Sequence, residues 1–222
     1  MTPALGPHLP AIVVGNFLIV AAVLLALGKL ATARAPRELP GGVQNAAEAV
    51  LDWFVGQARR LHPDGVRLIA PFLATLFLLI LLSNLLALLP VPLLRIPPTS
   101  YYGATLALAL VSVVGVLVID VRLRGPKAGL LHLVWPNPLQ LVTEVSHALS
   151  LSLRLYGNIG GELIVGALVT QAVPWGAPLL VHALGLFPVA IQPLVFTLLT
   201  ANALAIALQG HRAAGAGTER SA

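Results

Sequence analysis

From Val173 to Leu208 the chain carries no Lys, Arg, Asp or Glu, and the same holds from Pro71 to Leu89 and from Gly103 to Ile119. Runs of that length exclude most folds. A soluble domain draws about a quarter of its residues from the charged set. This chain has 9% charged and 58% apolar residues, with a mean hydropathy of +0.92. So few charges cannot coat a water-facing surface, so the chain is read as an integral membrane protein. Strand-like alternation is missing and the Leu, Ala and Val runs are continuous, which selects helices over a barrel.

A hydrocarbon core of about 30 Å takes about 20 helical residues. The spans fall at about 11–30, 67–90, 103–121, 138–170 and 173–209. The last two are too long for an upright crossing, reaching roughly 50 Å each at about 1.5 Å per residue. They read as strongly tilted helices forming a hairpin around the turn AVPWGAP. The stretch at about 43–60 differs. Ala46, Ala49, Val50, Trp53 and Phe54 gather on one face while Gln44, Glu48 and Asp52 take the other, which predicts an amphipathic helix at the membrane interface or on a partner.

Basic residues set the orientation. With the N-terminus outside and five alternating spans, Lys29, Arg34, Arg37, Arg59, Arg60, Arg67, Arg122, Arg124, Lys127, Arg212 and Arg220 all fall inside. Only Arg95 falls outside, and Arg154 lies within the membrane. Inserting the amphipathic helix as a sixth span spoils that split. The expectation is an all-α membrane protein, N-out and C-in, forming one polytopic domain over 1–210, with 211–222 a disordered cytoplasmic tail. The start, MTPALGPHLP, lacks the positive region of a signal peptide.

Several chemistries are excluded at this stage. The pI near 10.5 comes from loop residues rather than a basic patch interleaved with aromatics, so nucleic acid is not the partner. The absence of cysteine excludes disulfides and thiolate sites. No metal or cofactor is expected.

Arg154 stands near the middle of the 138–170 run, too far from either end to snorkel. A central charge costs at least about 2.5–3.5 kcal/mol on insertion scales, so a role must justify it. At about 100° per residue, Glu144, His147, Ser150, Asn158 and Glu162 share an arc of about 120° with it. Glu144 and His147 lie near the inner end of that track, where interfacial anchoring explains them equally well. Across a hairpin centred on Val173, Arg154 and Gln192 come to one depth, and Glu162 comes near His182. Pro188 and Pro193 interrupt the last helix. These residues alone are compatible with a proton-coupled secondary transporter, although no internal repeat is visible.

At the same residues the sequence resembles a known family. EVSHALSLSLRLYGN followed by GGEL is similar to the S-L-x-L-R-L-F-G-N-x-x-(A/G)-G-E signature of the a subunit of F-type rotary ATP synthases. LLSNLLALLP, PPTSYYGATLALAL and IQPLVFTLLT resemble further segments of that family in the same order. The resemblance implies a non-catalytic stator subunit in the bacterial inner membrane. Its partners would be a ring of c subunits, b-type peripheral stalk subunits and the lipid bilayer. It implies two offset half-channels that carry protons to and from ring carboxylates, with Arg154 between them. Asn158, Glu162 and His182 would form the outer relay, Glu144 and His147 the inner exit, and Gln192 the last-helix glutamine.

The chain departs from the family pattern at several places. NIGGE is one residue shorter than the usual spacing. Gly185 stands at the outer histidine position, with His182 one turn earlier. Tyr101 and Gly103 replace Asp and Asn, Gln140 replaces an acid, and Pro193 follows Gln192.

Overall fold

The computed structural model describes residues 9–33, 42–86, 97–125, 139–172 and 177–218. They form six helices: α1 (Leu9–Ala33), α2 (Gly42–Leu61), α3 (Val66–Leu85), α4 (Tyr102–Arg124), α5 (Leu139–Ala172) and α6 (Ala177–Thr218). Short 3-10 turns at Pro63–Gly65 and Pro98–Ser100 lead into α3 and α4. Each turn carries proline in its first positions, where a missing N–H costs nothing. α4 ends at Gly125, whose N–H donates to the Val121 carbonyl at 2.9 Å with φ at 92°, a backbone conformation that favours glycine.

Four helical segments are long and apolar enough to cross a membrane: Pro10–Lys29, Pro63–Leu85, Tyr102–Leu123 and Gly185–Leu208. The all-helical, multi-pass expectation therefore holds among the described residues. α5 has the length of a crossing, with Ser150, Ser152, Arg154 and Asn158 among its apolar residues.

The helices pack through two apolar clusters that share α3, α4 and α6. The first joins Phe54 and Ala58 of α2 to Ile69 and Leu73 of α3, Val116 and Ile119 of α4, and Leu204 and Leu208 of α6. The second joins Leu76 and Ile80 of α3 to Leu108 and Ala109 of α4, Phe196 of α6, and Ala148, Leu151 and Leu155 of α5. The order of these residues along each helix makes α4 and α6 parallel and α3 antiparallel to both. α2 closes one end of this three-helix core and α5 flanks the other.

In a bilayer, lipid competes with side chains for apolar contact, so polar bonds between helices help fix their arrangement. Two such bonds are buried here. Ser112 and Thr200 share a hydrogen bond of 2.7 Å between α4 and α6. The Thr99 hydroxyl donates to Asn84 Oδ1, also at 2.7 Å, tying the turn before α4 to the end of α3.

The amphipathic helix lies where expected, but its packed stripe is rotated. Val50, Phe54, Ala58 and Leu61 meet the core, whereas Ala49 and Trp53 are exposed. The cause is Ala58, one turn beyond Phe54, the last residue that defined the expected face. Its small side chain lets α2 approach α3, and the helix settles on the stripe that continues to Leu61.

α3 and α4 approach closely at Gly115, where a Cβ would overlap the Phe72 ring. Gly115→Ala is expected to destabilise the chain by about 1–3 kcal/mol, as overpacking does. Gly115→Ala combined with Phe72→Leu should recover most of that loss, measured as the thermal midpoint of the chain in detergent.

Candidate functional site

α5 carries the polar track as helix geometry requires, and the structure shows what each part faces. Arg154 is exposed on the outer surface of the chain and makes no ion pair or hydrogen bond with another described residue. Leu153 beside it is 56% exposed, and Ser150, Gly157 and Asn158, one turn to either side, are exposed as well. Gly157 and Gly161 lie one and two turns further along the same side of α5. A Cβ at either glycine would meet nothing within 4 Å. The cation therefore sits on an exposed face with low relief beside it.

Asn158 and Gln192 are brought together. Asn158 Nδ2 donates to Gln192 Oε1 at 2.6 Å, linking α5 to α6. Gln192 is 4% exposed, and its Nε2 has no hydrogen-bond partner among the described residues. The partner of Gln192 is thus one turn beyond Arg154, the residue that a hairpin centred on Val173 sets at its level. Positions 158 and 192 are symmetric about Trp175 instead, and a two-residue displacement of the turn moves the pairing by four.

His147, two turns before Arg154 on the same face, is half-buried, and its Nε2 has no partner among the described residues. Glu144 and Glu162 belong to α5 and His182 to α6, but their side chains lie outside the described residues. Gly185 is buried. Tyr101 is exposed and folds over Gly103, where a Cβ would come within 2.9 Å of its ring. Tyr102 meets Tyr156 edge-on with ring centres 5.7 Å apart, so this end of α4 packs on α5 through aromatics.

Sequence reasoning passed over Gly157 and Gly161. Their spacing of three and seven from Arg154 was the available signal, since those offsets share a helix face.

These features define a polytopic helical membrane protein that displays a cation on an exposed helix face, next to an amide pair that links α5 to the buried Gln192 of α6. Comparison with known proteins gives the class its identity. The family model of the ATP synthase A chain matches residues 14–203, and the chain belongs to that family. ATP synthase subunit a of Moorella thermoacetica is 32% identical over 193 residues, covering 85% of this chain and 87% of the relative. The subunit from Campylobacter fetus subsp. fetus is 32% identical over 195 residues, with 83% and 84% covered. That of Syntrophobacter fumaroxidans is 35% identical over 191 residues, with 82% and 78% covered. The chain is accordingly a non-catalytic, proton-translocating subunit of the membrane sector of an ATP synthase.

The amide pair generates a prediction of its own. Asn158→Leu leaves the buried Gln192 carbonyl without its donor, which should cost about 1–3 kcal/mol. Asn158→Ser, which retains a hydroxyl donor, should cost less. Thermal denaturation of the assembled complex followed by subunit dissociation measures the difference.

Proposed function

We propose that this subunit forms two offset half-channels against a rotating ring of c subunits, with Arg154 as the barrier between them. The observation that carries this reading is the exposure of Arg154. A guanidinium exposed on a membrane helix and bare of partners among the described residues invites an anion from a neighbouring polypeptide.

The physics of the cycle follows from that placement. A protonated ring carboxyl is neutral and can face lipid, whereas an ionised one cannot leave polar surroundings without a large desolvation penalty. Beside Arg154 the ionised form is favoured, because an opposite charge a few ångströms away lowers a carboxyl's pKa. The arriving carboxyl therefore releases its proton to one half-channel and accepts another from the second after passing. Arginine suits the role because it stays charged in a dry site where lysine would lose its proton. Each charge carried through the membrane potential supplies about 2.3 kcal/mol per 100 mV, which drives rotation.

In this reading α5 is the fifth membrane span, and α5 and α6 form the tilted hairpin that lies along the ring. The chain is N-out and C-in, a single polytopic domain over 1–210 with 211–222 on the cytoplasmic side of a bacterial inner membrane. Glu162, His182 and Asn158 serve the outer half-channel, and Glu144 and His147 the inner one. Gln192 holds Asn158 one turn beyond the arginine and thereby fixes where the outer path ends. Gly157 and Gly161 keep the face low enough for a ring helix to bring its carboxyl to Arg154. The b-type peripheral stalk holds the subunit against the torque.

Arg154→Ala should abolish ATP-driven acidification of inverted membrane vesicles while the complex still assembles. Normal pumping by that variant refutes the reading. Gly157→Leu raises the face beside the cation and should cut pumping at least tenfold, with Gly157→Ala close to wild type. Pumping by Gly157→Leu at the wild-type rate shows that no neighbouring helix approaches there.

A further inference from the structure

The corner between α2 and α3 collects cations that proton transfer does not use. Arg59 and Arg60 close the last turn of α2, and Arg67 is the second residue of α3; all three are exposed. The connection between them is tight. The His62 N–H donates to the Ala58 carbonyl at 2.9 Å, and the Gly65 N–H to the His62 carbonyl at 3.1 Å. Gly65 is buried under Leu123, whose Cδ1 would lie 2.9 Å from a Cβ at that position. That contact brings the end of α4 to the corner, and with it the exposed Arg122. Asp64 supplies one exposed carboxylate there and Asp120, three residues before Leu123, a buried one, against four guanidinium groups, and none of the four forms an ion pair with a described residue.

Trp53 adds a second kind of surface. It lies seven residues before Arg60, on the same face of α2 and about 10 Å along the helix. Trp53 is 42% exposed, and its ring meets Phe54 edge-on at 4.8 Å. Phe54 in turn is buried against Phe77 at 5.5 Å. The indole is thus fixed from beneath and bare above, the arrangement of a side chain at the boundary of hydrocarbon and headgroup.

A membrane brings phospholipid headgroups to this corner in any orientation of the chain. Phosphatidylcholine carries its own cation beside the phosphate. A headgroup such as phosphatidylglycerol does not, and four guanidinium groups unpaired among the described residues favour it. We propose that the α2–α3 corner is a binding site for the headgroup of an anionic phospholipid. Arg59, Arg60, Arg67 and Arg122 hold the phosphate, and Trp53 lies against the glycerol and the first acyl carbons. Such a lipid pins α2 at the interface and with it the depth of α3. The site depends on the membrane setting of the chain and not on the role of Arg154.

The test uses the intact complex in phosphatidylcholine vesicles that contain a minor fraction of dibrominated phosphatidylglycerol or the same fraction of dibrominated phosphatidylcholine. The Trp53 signal is the difference in quenching between the complex and its Trp53→Phe form. Brominated phosphatidylglycerol should quench Trp53 several-fold more strongly. Each of Arg59→Gln, Arg60→Gln and Arg67→Gln should lower that preference by up to about fivefold, and the three together should remove it. The three corresponding lysine substitutions should retain most of it, which separates loss of charge from loss of fold. Equal quenching by the two lipids overturns the proposal, as does a preference that survives the three glutamines. Absence of quenching by either lipid shows that a protein neighbour covers the corner and also overturns it. Loss of the preference when phosphate replaces chloride at equal ionic strength assigns the site to free anions instead.

Discussion

A guanidinium group that keeps its charge in a dry environment must be answered by a negative charge, and in this chain the answer does not come from any described residue. Arg154 is held on α5 with its charge turned outward, and the structure behind it reads as support for that one placement. Leu151 and Leu155, on the buried side of the same helix, lock α5 to α3, α4 and α6. Asn158 ties it to Gln192. The helix is therefore fixed on its inner side by apolar packing and one amide bond. Its outer side is left bare around the cation.

Lipid dictates how that fixing is achieved. Apolar contact alone gives helices little reason to prefer one another over hydrocarbon. The bonds Ser112–Thr200 and Thr99–Asn84 supply direction where the clusters supply only area. Small residues do related work, for the glycine at 115 admits the Phe72 ring and the one at 65 admits Leu123. α2 departs from this pattern, with one stripe on the core and another on the outside.

Much of the architecture was legible in the sequence because the bilayer imposes it. A run without charge must be helical and long enough to cross, so α1, α3 and α4 follow from composition and length. The 43–60 helix was read within a residue of Gly42–Leu61 at each end, because its polar and apolar residues alternate with the helical period. What depends on the rotation of one helix against another was not legible. Nothing in the sequence joins Ser112 to Thr200, which are far apart in the chain and meet only when α4 and α6 take one relative rotation. The partner of Gln192 was displaced by a turn for a similar reason. Pairing across a hairpin depends on where the turn is centred, and AVPWGAP allows more than one centre. Arg154 itself stood out, since a charge in the middle of an apolar helix is costly, and the structure leaves it exposed. Gly157 and Gly161 were not, because a glycine earns its meaning from the space beside it.

The central claim is that the Arg154 side of α5 faces the carboxylates of a neighbouring ring. The chain has no cysteine, so single thiols can be placed without background. The decisive measurement is oxidative cross-linking in assembled complexes between a cysteine next to the ring carboxylate and cysteines introduced along α5. The account predicts disulfides from Gly157→Cys and Gly161→Cys, and none from Leu155→Cys, which is buried on the opposite side. Cross-links from Leu155→Cys with none from the two glycine positions would place the ring on the other side of the helix and contradict it.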